Sequence, residues 1–184
     1  MKMKKIYTML TMALMAVILT SCDDAQIART LEGTWRGNMY ISTRYDGRVY
    51  NATESEVVFL RDPYAYSSGT GYWVDYYSGA PWDYVANHID WRVDFGVIYI
   101  HFAEENTDIR ISDYRLNGDR FYGTIRDNGN YVDFELYYYS RPSGYYDRLR
   151  YWDRNYWARS RSVSGDSTGV EKPMRFVNPA LKQE

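Results

Sequence analysis

The sequence predicts an all-β domain: eight antiparallel strands joined in order into an up-and-down barrel, with a helix after the last strand. Three observations carry this. Residues 87–95 alternate without a break, with Ile89, Trp91, Val93 and Phe95 against His88, Asp90, Arg92 and Asp94, the period-2 pattern of a half-buried strand. Two Asn-Gly pairs, Asn117-Gly118 and Asn128-Gly129, each divide β-rich runs. They predict type I′ hairpin turns, whose two central residues both need φ > 0. Further short runs of strand character, bounded by Gly, Pro and polar residues, extend from Gly33 to Tyr139.

Taken in order, the strands are expected at 33–42, 54–61, 69–77, 87–95, 97–103, 107–116, 119–126 and 131–139. In the first, Trp35, Gly37, Met39 and Ile41 share one face. Polar and turn residues over 42–53, including Asp46-Gly47, predict a loop. The second strand centres on Val57-Val58-Phe59-Leu60, and Pro63 ends it because proline cannot donate to a ladder. In the third, Tyr72, Val74 and Tyr76 oppose Trp73, Asp75 and Tyr77. Residues 78–86 are read as a loop, and Gly96 as a tight turn. Closure removes the exposed edges that an open sheet would have to protect. An eight-stranded barrel is either filled by side chains or holds one small ligand.

At 184 residues the chain suffices for one domain with its own core. The 21 tyrosines suit both strands and amphipathic contact surfaces. A formal charge of −2 argues against a nucleic-acid partner, and a single Cys excludes an internal disulfide.

Residues 1–21 read as a signal peptide, with Lys2, Lys4 and Lys5 ahead of an apolar run from Ile6 to Leu19 that is short for a membrane span. Leu19-Thr20-Ser21-Cys22 resembles the lipobox of bacterial lipoproteins. That resemblance implies cleavage before Cys22, acylation of its thiol and a lipid anchor in the outer membrane. One acyl chain binds membranes marginally, and stable anchoring takes two signals, which the family's multiple chains supply. Asp23 and Asp24 resemble the surface-export signal of Bacteroidetes-type lipoproteins, and equally suit a solvated tether over 22–30. Whether the protein faces the periplasm or the cell surface stays open.

Gly33-Thr34-Trp35 at the head of the first strand resembles the Gly-x-Trp signature of lipocalins. The resemblance implies a lipocalin-like barrel over residues 31–160, with Trp35 closing the barrel floor and Arg141, just past the eighth strand, packing across it. Ser112-Asp113-Tyr114 looks like the family's Thr-Asp-Tyr element near the turn between the sixth and seventh strands.

Beyond Pro142 the period changes. Tyr145, Leu149, Trp152 and Tyr156 fall on one helical face, with Ser143 as N-cap. The helix is expected to pack by its aromatic stripe; a basic aromatic surface for lipid headgroups or acidic glycans is the alternative. Ser, Gly, Asp, Thr and Pro dominate the rest, so 161–184 is expected to be a disordered or loosely attached tail.

No catalytic, metal or cofactor signature stands out. His88 and His101 have no nucleophile or zinc-spaced partner, no Gly-rich phosphate loop is present, and carboxylates such as Asp75, Asp90, Asp94 and Glu105 read as a solvated face. The expectation is therefore a non-catalytic binding module for an apolar molecule or a glycan. The alternative is an outer-membrane interaction protein whose filled barrel docks on an envelope protein partner. If Trp35 marks the floor, the loops at 42–53, 78–86, 103–106 and 127–130 lie at the mouth. Tyr45, Tyr50, Trp82 and Tyr84 are then the candidate ligand-binding residues.

Overall fold

The computed structural model describes residues 23–127, 129–142 and 174–183. Ten strands form an antiparallel sheet: β1 Gly33–Asn38, β2 Ile41–Tyr45, β3 Arg48–Arg61, β4 Ser68–Tyr77, β5 Tyr84–Asp94, β6 Val97–Phe102, β7 Thr107–Leu116, β8 Arg120–Asp127, β9 Asn130–Ser140 and β10 Met174–Val177. From β3 to β9 each strand pairs with the next, and β1 pairs with both β3 and β9. Eight strands thus close into a barrel. At the seam Trp35 lies opposite Val57 on one side and Tyr138 on the other.

β1 and β2 together occupy the place of the expected first strand, bent at Tyr40, where φ is 51°. Asn38 supports the bend by accepting the Tyr40 amide at 2.7 Å. Past the bend the chain leaves β9, and β10 pairs with β2 instead, from Val177 opposite Ile41 to Met174 opposite Arg44. The expected 42–53 loop is instead a β2–β3 hairpin. Its turn is Asp46-Gly47, with φ of 51° and 69°, the I′ signature that matches strand twist.

The alternation of β5 holds, with Ile89, Trp91 and Val93 inside and His88, Asp90, Arg92 and Asp94 outside. Phe95 departs from it. It occupies the first turn position with φ of 49° and stands 77% exposed. Asn117-Gly118 also departs from expectation, since neither residue takes positive φ. The Asn117 side chain instead accepts the amides of Asp119 and Arg120 at 2.9 and 2.8 Å, an Asx-type turn that needs no left-handed residue.

Inward-facing side chains from every barrel strand fill the interior: Trp35, Val57, Phe59, Trp73, Ile89, Trp91, Ile100, Phe102, Ile111, Phe121, Ile125 and Phe134 are all buried. Where a tether was expected over 22–30, residues 23–31 form a helix, α1, that closes the floor. Asp24, Ile27, Ala28 and Leu31 follow helical spacing; Ala28 and Leu31 are fully buried, and Ile27 packs against the core. Asp23 and Asp24 sit in the first turn, where the helix dipole favours negative charge. Asp24 also accepts the amides of Phe95 and Gly96 at 3.0 and 2.8 Å, pinning α1 to the β5–β6 turn.

Part of the expected tail is likewise built in. Residues 174–177 are β10 and Pro179–Gln183 a 3-10 helix, with Val177 buried in the barrel core. The expected helix after Pro142, with its Tyr145, Leu149, Trp152 and Tyr156 face, lies outside the described residues. So do the signal peptide and Cys22.

Candidate functional site

Strand alternation places Trp73, Asp75 and Tyr77 on the inner face of β4 and Asn87 on that of β5. The β6–β7 turn brings Glu105 over the same mouth end. β10 then lays Arg175 between them, with its side chain 5% exposed, against 0% for Asp75 and 10% for Glu105. Arg175 grips Glu105 through Nε to Oε1 at 3.0 Å and Nη2 to Oε2 at 3.4 Å, and reaches Asp75 Oδ2 with Nη1 at 3.2 Å. Its guanidinium carbon lies 3.8 Å from the Phe102 ring centre and 5.4 Å from that of Trp73.

The remaining polar groups orient the carboxylates. Asp75 Oδ1 accepts the Ser55 hydroxyl at 2.6 Å and the Trp73 indole N–H at 2.9 Å. Asn87 donates to Glu105 Oε1 at 3.1 Å, while its Oδ1, fully buried, finds no hydrogen-bond partner among the described residues. Burial pushes the Asp75 carboxyl above its usual range, against the pull of Arg175, Ser55 and Trp73. Burial works the other way on Arg175, but Glu105 and Asp75 outweigh it and hold the guanidinium protonated. Burial beside Asp75 raises the Tyr77 hydroxyl, which shares a 2.6 Å hydrogen bond with Thr43. Beside Arg175 the remaining space amounts to about 50 Å³.

The mouth residues expected to bind ligand separate into two environments. Tyr45, Tyr50 and Trp82 come together, with ring centres of Tyr45 and Tyr50 at 5.2 and 5.5 Å from Trp82 and Tyr77 at 6.1 Å. They form a closed edge-to-face cluster in which Trp82 is only 6% exposed. Tyr45 and Tyr50 belong to the β2–β3 hairpin rather than a loop. Tyr84 faces the opposite way, onto an outer apolar strip of Val58, Val74 and Ala86, with Tyr76 beside it.

At the floor, Trp35 is fully buried and donates its indole N–H to Leu31 O at 2.8 Å. Its aromatic neighbours are Phe121 at 5.9 Å and Tyr138 at 5.4 Å. Arg141, expected across it, is exposed beyond β9. The Tyr138 ring fills the space that a Cβ on Gly33 would need, which is why glycine precedes this tryptophan by two residues. A family model described as a lipocalin-like domain matches residues 31–123, from the end of α1 into β8. The chain belongs to the lipocalin-like family. No curated protein matches it.

As a lipocalin-like barrel, the protein is a ligand-binding or interaction module in its general class. Its Ser112-Asp113-Tyr114 element sits at a β7 bulge. Arg126 pairs with Asp113 at 3.1 Å, and Tyr114 donates to Gly96 O at 2.9 Å. The outer wall carries a groove of about 730 Å³ lined by Asp90, Arg92, Tyr99, His101 and Asp108 among others. There Arg92 lies over Tyr99 at 4.6 Å and His101 Nδ1 is 2.9 Å from Asp108.

Sequence reasoning missed the charged cup. Asp75 and Glu105 were expected in solvent and are buried instead. A signal for Asp75 existed, because it alternates with Trp73 and Tyr77 on an otherwise aromatic face. Nothing local announced Arg175, whose position depends on a strand formed about 130 residues after its partner β2.

Proposed function

We propose that this chain is a lipid-anchored envelope lipoprotein whose filled lipocalin-like barrel acts as a non-catalytic interaction module, docking on a protein partner. The filled interior carries the reading. Large apolar side chains occupy the barrel, and the mouth is closed by the Arg175 cup and the Trp82 cluster. Among the described residues the space beside Arg175 is about 50 Å³, far below the several hundred expected of a small-molecule site. The groove on β4–β7 offers polar and aromatic contacts of the kind found at the rim of protein interfaces. The alternative, a carrier of an apolar molecule or glycan, draws on the mouth aromatics but requires the 78–83 loop to swing out.

The anchor rests on the lipobox-like sequence ending at Cys22. Asp23 already opens α1, so an acylated Cys22 leaves no flexible spacer and holds the floor toward the bilayer. Supporting this orientation, Tyr64, Tyr66 and Phe95 stand 91%, 67% and 77% exposed on floor-end turns. Phe95 is the telling one, because its side chain stands outside the core and a bulky residue is disfavoured at the positive φ that its turn position requires. Aromatic residues of this kind favour the headgroup zone.

A saturable-binding assay with a fluorescent fatty-acid probe tests the filled barrel. The full chain should show none, and tight stoichiometric uptake would overturn the interaction reading. Intact mass of membrane-extracted protein tests the anchor. Acylated Cys22 is expected, and an unmodified thiol would refute it.

A further inference from the structure

We propose that the mouth of the barrel is a receptor for a single guanidinium or ammonium group, occupied in this chain by its own Arg175. The inference rests on the interaction-module reading and names the chemistry that a partner would bring.

A core that only had to be filled would not be built this way. Replacing a buried ion pair with apolar side chains of equal volume is commonly neutral or stabilising, so two carboxylates and an arginine in a barrel mouth are not accounted for by stability. The arrangement instead has the parts that recognise a cation. Glu105 presents both oxygens to a planar fork, Asp75 adds a third contact, and Phe102 and Trp73 supply ring faces. Ser55 and the Trp73 indole hold Asp75 in place independently of Arg175. The Asn87 Oδ1, buried beside Glu105, remains unpartnered among the described residues.

The strand that delivers Arg175 is suited to exchange. Among the described residues β10 has four residues, lies last in the sheet and pairs with β2 alone. Val177 is buried, whereas Met174 is 62% exposed. Its main-chain ladder is indifferent to sequence, so an extended segment of a partner carrying an arginine or lysine would pair with the same edge and fill the same cup. A free small cation would use the cup alone.

The test is chemical rescue of full-length Arg175→Ala, followed by Trp fluorescence and thermal melting. Millimolar methylguanidinium should bind the variant at least about tenfold more tightly than the native chain and raise its melting temperature, while neutral N-methylurea does neither. Adding Glu105→Gln should weaken that binding by a further factor of about ten. If Arg175→Ala does not fold unaided, refolding with methylguanidinium against N-methylurea reads the same site. A peptide copying residues 172–183 separates the sources. Peptide binding that depends on its arginine supports a partner strand, and methylguanidinium binding alone supports a small cation. No binding by either cation, or equal rescue by N-methylurea, overturns the proposal. Such a failure leaves the anchored, filled-barrel reading to its own assays, which do not involve Arg175.

Discussion

Replacing Trp35 separates the observed floor from the one that the Gly-x-Trp resemblance implies. Trp35 is fully buried, so Trp35→Ala opens a cavity and should cost about 3–5 kcal/mol. It also leaves the Leu31 carbonyl without its indole donor at the end of α1, where the missing hydrogen bond is worth about 1 kcal/mol. Trp35→Phe keeps a ring against Phe121 and Tyr138 but loses that donor and some area, for about 1–2 kcal/mol. The coupling partner is the sharper question. Tyr138 meets Trp35 edge-to-face at 5.4 Å and 81°, a geometry worth about 0.5–1.5 kcal/mol beyond area. Arg141 is exposed and should be additive with Trp35 within about 0.3–0.5 kcal/mol. Urea melts of Trp35→Phe, Tyr138→Leu, Arg141→Ala and the two doubles give both couplings. A coupling to Arg141 larger than that to Tyr138 would refute this account of the floor.

Two further perturbations probe the helix lock and the charged cup. Asp24→Ala removes the acceptor for two turn amides and should cost about 1–3 kcal/mol, with faster hydrogen exchange at Phe95 and Gly96; unchanged exchange there would mean that α1 is not pinned by Asp24. The Asp75 carboxyl is raised above its ordinary 3.8, so in the window above that value the folded state holds more protons than the unfolded state. Its contribution is fully present below the unfolded pKa and is lost as pH rises through the folded pKa. The stability of the native chain relative to Asp75→Asn should therefore fall as pH is raised above the ordinary 3.8, and a flat difference would mean that burial does not penalise the ionised carboxyl.

The barrel itself was legible in the sequence because its information is local. Period-2 alternation in β5 assigns side chains to faces from neighbouring residues alone, and the order of strands follows from short connections. Where local chemistry has two solutions, the reading slipped. Asn117-Gly118 has the composition of a type I′ turn, but the Asn117 side chain closes an Asx-type turn instead. Residues 23–31 carry a helical pattern of Asp24, Ile27, Ala28 and Leu31, yet so short a segment is stable only against a surface, and that surface is the barrel floor.

What the sequence by itself determined is the eight strands of the barrel, most of their faces and the placement of Trp35 in the core. Tertiary structure decided what closes each end. Arg141 and Tyr138 are both near the end of β9, and the β1–β9 pairing that closes the barrel sets Tyr138 opposite Trp35. Trp82 is equally compatible with an open mouth or a closed one until Tyr45, Tyr50 and Tyr77 converge on it. Arg175 and Asp75 are 100 residues apart, and neither shows a local reason to be buried. A buried charge is tolerated only beside its counter-charge, so the cup exists as a property of the closed fold and of no single stretch of the chain.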